Sequence, residues 1–386
     1  MSKAWLLPAH IADVLPAQAR ALERLRRKWL DMASARGFEL IIPPLLEHLE
    51  SLLSGTGQAL DLQTFKLVDQ LSGRLMGIRA DTTPQAARID AHLLNRQGVA
   101  RLCYCGPVLR SLPSGLQSSR EPLQFGAEIF GHAGLEADWE IQDLAVSCLG
   151  DVPYPLSIDL ADVRILSSLL EACSLEPVVL QDLVEALSAK DKAAVVQSSQ
   201  GLPKSVRDAL CVLTELYGGD EVLTEAARCL GTGAQMSLAL GDLAWLAAHL
   251  RQVHPRLRVG FDLSDLGGFS YYSGPRFGIF CEASSDALVR GGRYDEVGAV
   301  FGRNRPAVGF SLDLKAVAAL LPWTESKGAV RATWSEDRSM HQAIDALRQS
   351  GETVVVFLPG ETGSSAEIAF DRELVLAGER WAVRAL

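Results

Sequence analysis

The stretch from Pro122 to Gly131 alternates without a break: Leu123, Phe125, Ala127 and Ile129 face one side of an extended strand, and Gln124, Gly126, Glu128 and Phe130 face the other. The first side is apolar and has to be covered. The second carries an amide and a carboxylate roughly 13 Å apart at ordinary strand rise. Such a strand belongs in a sheet packed against helices, with Gln124 and Glu128 on the same face.

The neighbouring chain supplies both kinds of element. Leu22, Leu25, Trp29 and Met32 recur at helical spacing between Ala17 and Ala35, and Gly37 follows as a stop. The basic run Arg26-Arg27-Lys28 lies between those apolar positions and reads as a solvated helix face rather than a nucleic-acid patch. Phe38 to Ile42 forms a short strand that ends at Pro43-Pro44, and Phe65–Val68 and Leu75–Ile78 flank a hairpin signal. Thr83-Pro84 predicts a helix start, with Thr as cap and Pro at the first position, leading into Gln85 to Leu94. A strand over Arg101–Arg110 joins the alternating strand through the polar loop Ser111–Arg120, and Asp138 opens a helix running to about Leu149.

From about Ala161 to Val253 the chain is expected to be almost entirely helical, a block inserted between two strand regions. Strands resume at Leu257–Phe261, then as a hairpin over Phe269–Glu282, then at Ala287–Gly292 and Ala307–Leu312, the last leading into a helix that ends near Pro322. Beyond it come a strand at Val330–Thr333, a helix at Met340–Gln349, a strand at Thr353–Leu358 and weaker strands. The expected architecture is α+β: an antiparallel sheet flanked by helices over residues 1–322, a helical insertion at 161–253 within it, and a small αβ unit over 323–386.

Composition excludes several roles. The 386 residues, 48% hydrophobic and 22% charged, suffice for a large core. A formal net charge of -10 supplies no basic face for nucleic acid at the level of the whole chain. The seven cysteines are scattered without a C-x-x-C pair, and the seven histidines show no ligand spacing, so reduced thiols, a cytoplasmic setting and no metal are expected. Met1 to His10 is too short for a signal peptide or a span, so no membrane association is expected.

Taken singly, the glycine-rich stretches are weak signals; Gly267-Gly268 and Gly291-Gly292 serve equally well as hairpin turns. Their order is more specific. Arg79-Ala80-Asp81-Thr82-Thr83-Pro84 comes first, followed by the segment from Arg101 to Arg110 and then by Gln124 to Gly131. Ser270-Tyr271-Tyr272, Gly291-Gly292-Arg293-Tyr294-Asp295 and Pro306-Ala307-Val308-Gly309-Phe310 complete the series. Over roughly residues 5 to 322 it resembles the catalytic domain of histidyl-tRNA synthetase, and the helical block sits where that family carries its insertion. The resemblance implies a class II aminoacyl-tRNA synthetase-like fold and dimerisation through the region around Pro43. It also implies a histidine pocket: Asp81 at the α-amino group with Thr83 and Gln124 beside it, Glu128 on the imidazole, and Tyr272 helping Glu128. The chemistry agrees, since an amino cation needs a carboxylate and a ring N–H needs a fixed acceptor.

The departures from that family are equally informative. Arg110 keeps the position of one ATP-clamping arginine; a phosphate contact and a local carboxylate are both open to it. Ala316 stands where the family has its second such arginine, Leu112 where it has a glutamate, and Gly267 where it has the catalytic arginine. Losing one positioned donor costs such chemistry about 10²–10³ in rate, so aminoacylation is not expected. Only the short unit after Pro322 remains where the synthetase carries an anticodon-binding domain, so no tRNA partner is expected.

This erosion, over the whole chain, resembles the regulatory subunits of ATP phosphoribosyltransferase. That resemblance implies a non-catalytic chain without a cofactor, acting in the first step of histidine biosynthesis beside a short-form catalytic subunit and passing on feedback by histidine. A divergent synthetase and another pseudo-synthetase adaptor are the alternatives.

Overall fold

The helix Pro16–Ser34 buries Leu22, Leu25, Trp29 and Ala33 along one stripe, and Gly37 at φ +82° ends the segment. Its basic run is solvated: Arg26 and Arg27 pair with Glu23, and Lys28 with Asp151. This is a computed structural model, and it describes residues 6–53, 58–113, 115, 118–231, 233–322, 328–361 and 368–386. Part of the Ser111–Arg120 loop lies outside the described residues. The chain divides into two compact units, the first within Met1–Asp13 and Leu22–Leu321, the second within Val14–Ala21 and Pro322–Leu386.

In the first unit, β1 (Glu39–Leu40) precedes a small antiparallel sheet of β2 (Leu46–His48), β3 (Phe65–Val68) and β4 (Leu75–Ile78), ordered β2-β4-β3. The main sheet continues through β5 (Ala100–Pro107), β6 (Leu123–Phe130), β7 (Leu156–Asp162), β8 (Tyr217–Gly218), β9 (Arg258–Asp262), β10 (Pro275–Cys281), β11 (Val289–Arg293) and β12 (Ala307–Asp313). Its order is β1-β5-β6-β12-β11-β10-β7-β9-β8. The run from β5 to β7 is antiparallel, whereas β1 pairs parallel with β5 and β9 parallel with β7. The fold is α+β as expected, with parallel pairs at both ends of an antiparallel centre.

The alternation in β6 places Phe125 against Trp29, ring centroids 5.3 Å apart, and against Phe310 at 6.0 Å. The helix Leu135–Cys148 packs on the sheet, and Cys148 accepts the Trp29 indole N–H at 2.8 Å. That helix starts three residues before the expected Asp138, whose carboxylate pairs with Arg293 from within the helix.

The block after Ala161 is almost entirely helical as expected, except that β7 runs to Asp162 and β8 adds to the sheet edge between the helices Lys204–Leu213 and Glu221–Cys229. Three expectations need correction. Phe269–Glu282 is not one hairpin, because only Pro275–Cys281 is extended and its partner is β11; the preceding residues turn at Gly268, φ +77°. Gly291 and Gly292 therefore sit inside a strand rather than in a turn. Thr83 is the first helical residue, not the cap. The backbone N–H of Thr83 is accepted by Asp81 Oδ1 at 3.2 Å, and the helix passes after Arg88 into a π-helical turn over Ile89–Leu94.

The second unit contains a four-stranded sheet of β13 (Ala329–Thr333), β14 (Val354–Phe357), β15 (Phe370–Ala377) and β16 (Arg380–Ala385), ordered β14-β13-β15-β16. Met340 and Ile344 of the helix Arg338–Gln349 bury against Val330, Val354 and Leu374. Among the described residues no helix is long and apolar enough to cross a membrane.

Candidate functional site

The polar face of the sheet is hollowed by glycine. Glu128 on β6 pairs with Gly309 on β12, which pairs with Gly292 on β11. A Cβ at Gly309 would stand 1.5 Å from Glu128 Oε2, so the carboxylate occupies the space of the absent side chain. Tyr104 on β5 pairs with Gly126, and a Cβ there would meet the Tyr104 hydroxyl at 2.4 Å. Both glycines leave room for the groups that converge over the sheet.

Glu128 is 1% exposed, and two phenols hold it. The Tyr104 hydroxyl donates to Oε1 at 2.9 Å and the Tyr294 hydroxyl to Oε2 at 2.5 Å. Having spent its proton on Glu128, Tyr104 accepts from the Thr83 hydroxyl at 2.9 Å. Burial pushes the Glu128 carboxyl up to about 8 although both phenols stabilise its charged form. The carboxyl is therefore largely protonated at neutral pH.

Asp81 sits at the other side of the same cavity. Its Oδ1 accepts from Gln124 Nε2 at 2.6 Å and from the Thr83 backbone, while Gln124 Oε1 accepts the Thr82 N–H at 2.9 Å. Gln124 thus acts through Asp81. The cavity, about 80 Å³, is lined by Asp81, Thr83, Glu128, Tyr271, Tyr272 and Tyr294 together with Arg290.

Of the residues singled out from sequence, Asp81, Thr83, Glu128 and Tyr272 meet in this cavity, and Gln124 stands behind Asp81. Tyr272 is not one of the phenols on Glu128. Its ring lies 5.5 Å from the Arg276 guanidinium and edge-on to Tyr271, centroids 5.3 Å apart. Arg110 is not among the lining residues; its Nε donates to Ala80 O at 3.4 Å. Arg293 is a brace: it is 6% exposed, pairs with Asp138 and donates to the carbonyls of His132 and Gly134, both at 3.1 Å.

Sequence reasoning missed Tyr104, Tyr271 and Arg290. Alternation along β5 could have put Tyr104 on one face, but only the pairing register sets it beside Glu128. The Tyr271 hydroxyl oxygen is buried with no hydrogen-bond partner among the described residues, although its ring stacks on Tyr294 at 5.1 Å. A buried hydroxyl left unsatisfied at a cavity wall is a place for a ligand acceptor or donor. No cluster of His, Cys, Asp and Glu among the described residues is placed to hold a metal, and all seven cysteines are free.

Residues 10–317 match the family model described as histidyl-tRNA synthetase, and residues 327–384 match that of the ATP phosphoribosyltransferase subunit HisZ C-terminal domain. The chain is 56% identical over 385 residues to the ATP phosphoribosyltransferase regulatory subunit of Variovorax paradoxus, covering 99% of this chain and 100% of that one. Among solved structures it resembles an ATP phosphoribosyltransferase regulatory subunit/histidyl-tRNA synthetase from Bacillus halodurans, with TM-score 0.80, 26% identity, and 94% and 96% of the two chains covered. It also shares the fold of histidyl-tRNA synthetase from Nostoc sp. PCC 7120, with TM-score 0.78, 19% identity, and 100% and 95% covered. With its class II synthetase-like sheet and its short C-terminal unit both matched, the chain belongs to the family of ATP phosphoribosyltransferase regulatory subunits.

Proposed function

We propose that this chain is the non-catalytic regulatory subunit of ATP phosphoribosyltransferase, acting in the first step of histidine biosynthesis, and that free histidine is the effector bound in its cavity. The observation that carries the ligand is Glu128, a buried carboxyl held between the Tyr104 and Tyr294 phenols and facing the same cavity as Asp81. A neutral carboxyl donates to an unprotonated ring nitrogen, and its ionised form accepts from a ring N–H, so either imidazole state finds a partner. Asp81, oriented by Gln124, suits the α-amino cation.

Loss of aminoacylation belongs to the same reading. Ala316 lies on the helix Leu314–Leu320, and the adjacent Lys315 ammonium is engaged by the Glu121 carbonyl at 2.7 Å. The apolar side chains around Pro43 support a self-dimer: Ile42 is 81% exposed, with Leu40 and Leu45 also open. The synthetase-like domain over 1–322, its insertion at 161–253 and the C-terminal unit over 323–386 complete the proposed organisation.

The test is reconstitution. The chain co-purifies with a short-form catalytic subunit, and histidine inhibits the complex but not the catalytic subunit alone. A catalytic subunit that neither binds this chain nor gains histidine sensitivity from it would overturn the reading.

A further inference from the structure

The rung through Glu128, Gly309 and Gly292 does not end at the glycines. Gly292 pairs with Arg276 on β10, so the row across four strands runs carboxyl, bare backbone, bare backbone, guanidinium. At ordinary strand spacing its outer backbones stand roughly 14 Å apart. A Cβ at Gly292 would approach the Arg276 Cβ and the Pro275 carbonyl to 2.8 Å, so this floor position is closed to any side chain. The result is a bare-floored channel flanked by groups of opposite kind.

Arg276 is 2% exposed; it turns its guanidinium to the Tyr272 ring and to the Asp265 carboxylate, 2.6 Å away. Its Nε is buried with no partner among the described residues. Asp265 also holds Arg290 at 3.5 Å. Arg290 lies two residues along β11 from Gly292, hence on the same face, and lines the cavity with its side chain 52% exposed. Asp265 thus meets two guanidiniums, that of Arg276 at 2.6 Å and that of Arg290 at the longer 3.5 Å. Arg276 neutralises Asp265 from the buried side, which frees Arg290 to attract an anion on the open side.

We infer that Arg290, positioned through Asp265 by Arg276, is the subsite for the carboxylate of an α-amino acid, so that the cavity reads both ends of a zwitterion. This rests on the reading of the cavity as an amino-acid effector site. A bare imidazole or amine could satisfy Glu128 and Asp81 alone; Arg290 adds the demand for a carboxylate.

The experiment compares L-histidine with histamine, which lacks only the carboxylate, by calorimetric titration of the full chain. The same measurement is made on Arg290→Ala and Arg290→Lys, with a panel of other L-amino acids and their decarboxylated amines alongside. The expected result is that the natural chain prefers histidine to histamine by about ten- to a hundred-fold, the worth of one charge-assisted hydrogen bond. Arg290→Ala should abolish that preference by weakening histidine while leaving histamine unchanged, and Arg290→Lys should restore part of it. If Arg290→Ala binds histidine and keeps the preference, the subsite is overturned while histidine remains the effector. If the chain ignores histidine but binds another amino acid through Arg290, the subsite stands and the histidine reading falls. Binding of no amino acid in the panel overturns both. Because Arg290 is half-exposed, the variants should retain the thermal melt of the natural chain, and a lost melt is resolved by the conservative Arg290→Lys pair of titrations.

Discussion

Glu128 and Gly309 face each other across the β6–β12 ladder, and the glutamate carboxylate fills the place that a Gly309 side chain would take. Gly309→Ala would set a methyl group 1.5 Å from Oε2 in the present arrangement, so Glu128 must leave its phenols or the strands must part. Overpacking of this kind costs about 1–3 kcal/mol. Urea unfolding should show that loss, with histidine binding weakened further than the loss of stability explains.

Glu128 should also make stability fall as pH rises. The folded chain holds this carboxyl at about 8 through burial, against 4.5 for an ordinary glutamate, so the native state binds more protons than the unfolded one between those values. Stability contributed by the protonated carboxyl is therefore full below about pH 4.5 and declines up to about pH 8. Glu128→Gln keeps the shape and removes the titration. Denaturation midpoints across that range should flatten in the variant; an unchanged slope would refute the assignment to Glu128.

Glu128→Ala should raise the histidine concentration needed to inhibit the assembled complex by about ten- to a hundred-fold, the loss of one or two strong hydrogen bonds. Histidine can inhibit only if it binds the complex's two states with different affinity. Inhibition curves of a complex shown by light scattering to be intact provide the check. An unmoved curve would place the effector site elsewhere.

The Arg293–Asp138 pair is structural, and its loss should be felt throughout the first unit. Asp138 is 1% exposed, and burial pushes its carboxyl up to about 6 even beside Arg293. Arg293→Ala leaves that carboxyl and the His132 carbonyl without the guanidinium donor, while the Gly134 carbonyl keeps the Ala137 N–H at 3.3 Å. Removing one partner of a buried pair costs about 3–5 kcal/mol. Thermal unfolding should fall accordingly, with histidine affinity in the remaining folded fraction little changed.

The purified chain should show no histidine-dependent ATP–pyrophosphate exchange. Gly267 and Ala316 carry no cation, and the nearest guanidinium to Gly267, that of Arg276, is committed to Asp265. Exchange above background would reverse the non-catalytic assignment.

Much of this was legible in the linear chain because local rules govern it. Period-two alternation identified β6 and put Gln124 and Glu128 on one face, and apolar spacing marked the helix that buries Leu22, Leu25 and Trp29. The ordered motifs brought Asp81, Thr83, Glu128 and Tyr272 to one cavity in expectation, and the structure gathers them there. The strand β8 inside the helical block was not legible, since two residues carry no periodicity of their own and become a strand only by pairing with β9.

What the amino-acid sequence by itself determined, then, is which segments form strands and helices, and which motifs stand in which order. Only the tertiary structure decided that Glu128 is held by Tyr104 and Tyr294 rather than by Tyr272, and that Arg276 and Arg290 share Asp265 beside Gly267. The reason is register. Side-chain direction along one strand follows from local backbone geometry, but which residue stands opposite Gly309 or Gly292 depends on pairing between segments far apart in the chain. That choice is made by the packing of the whole sheet.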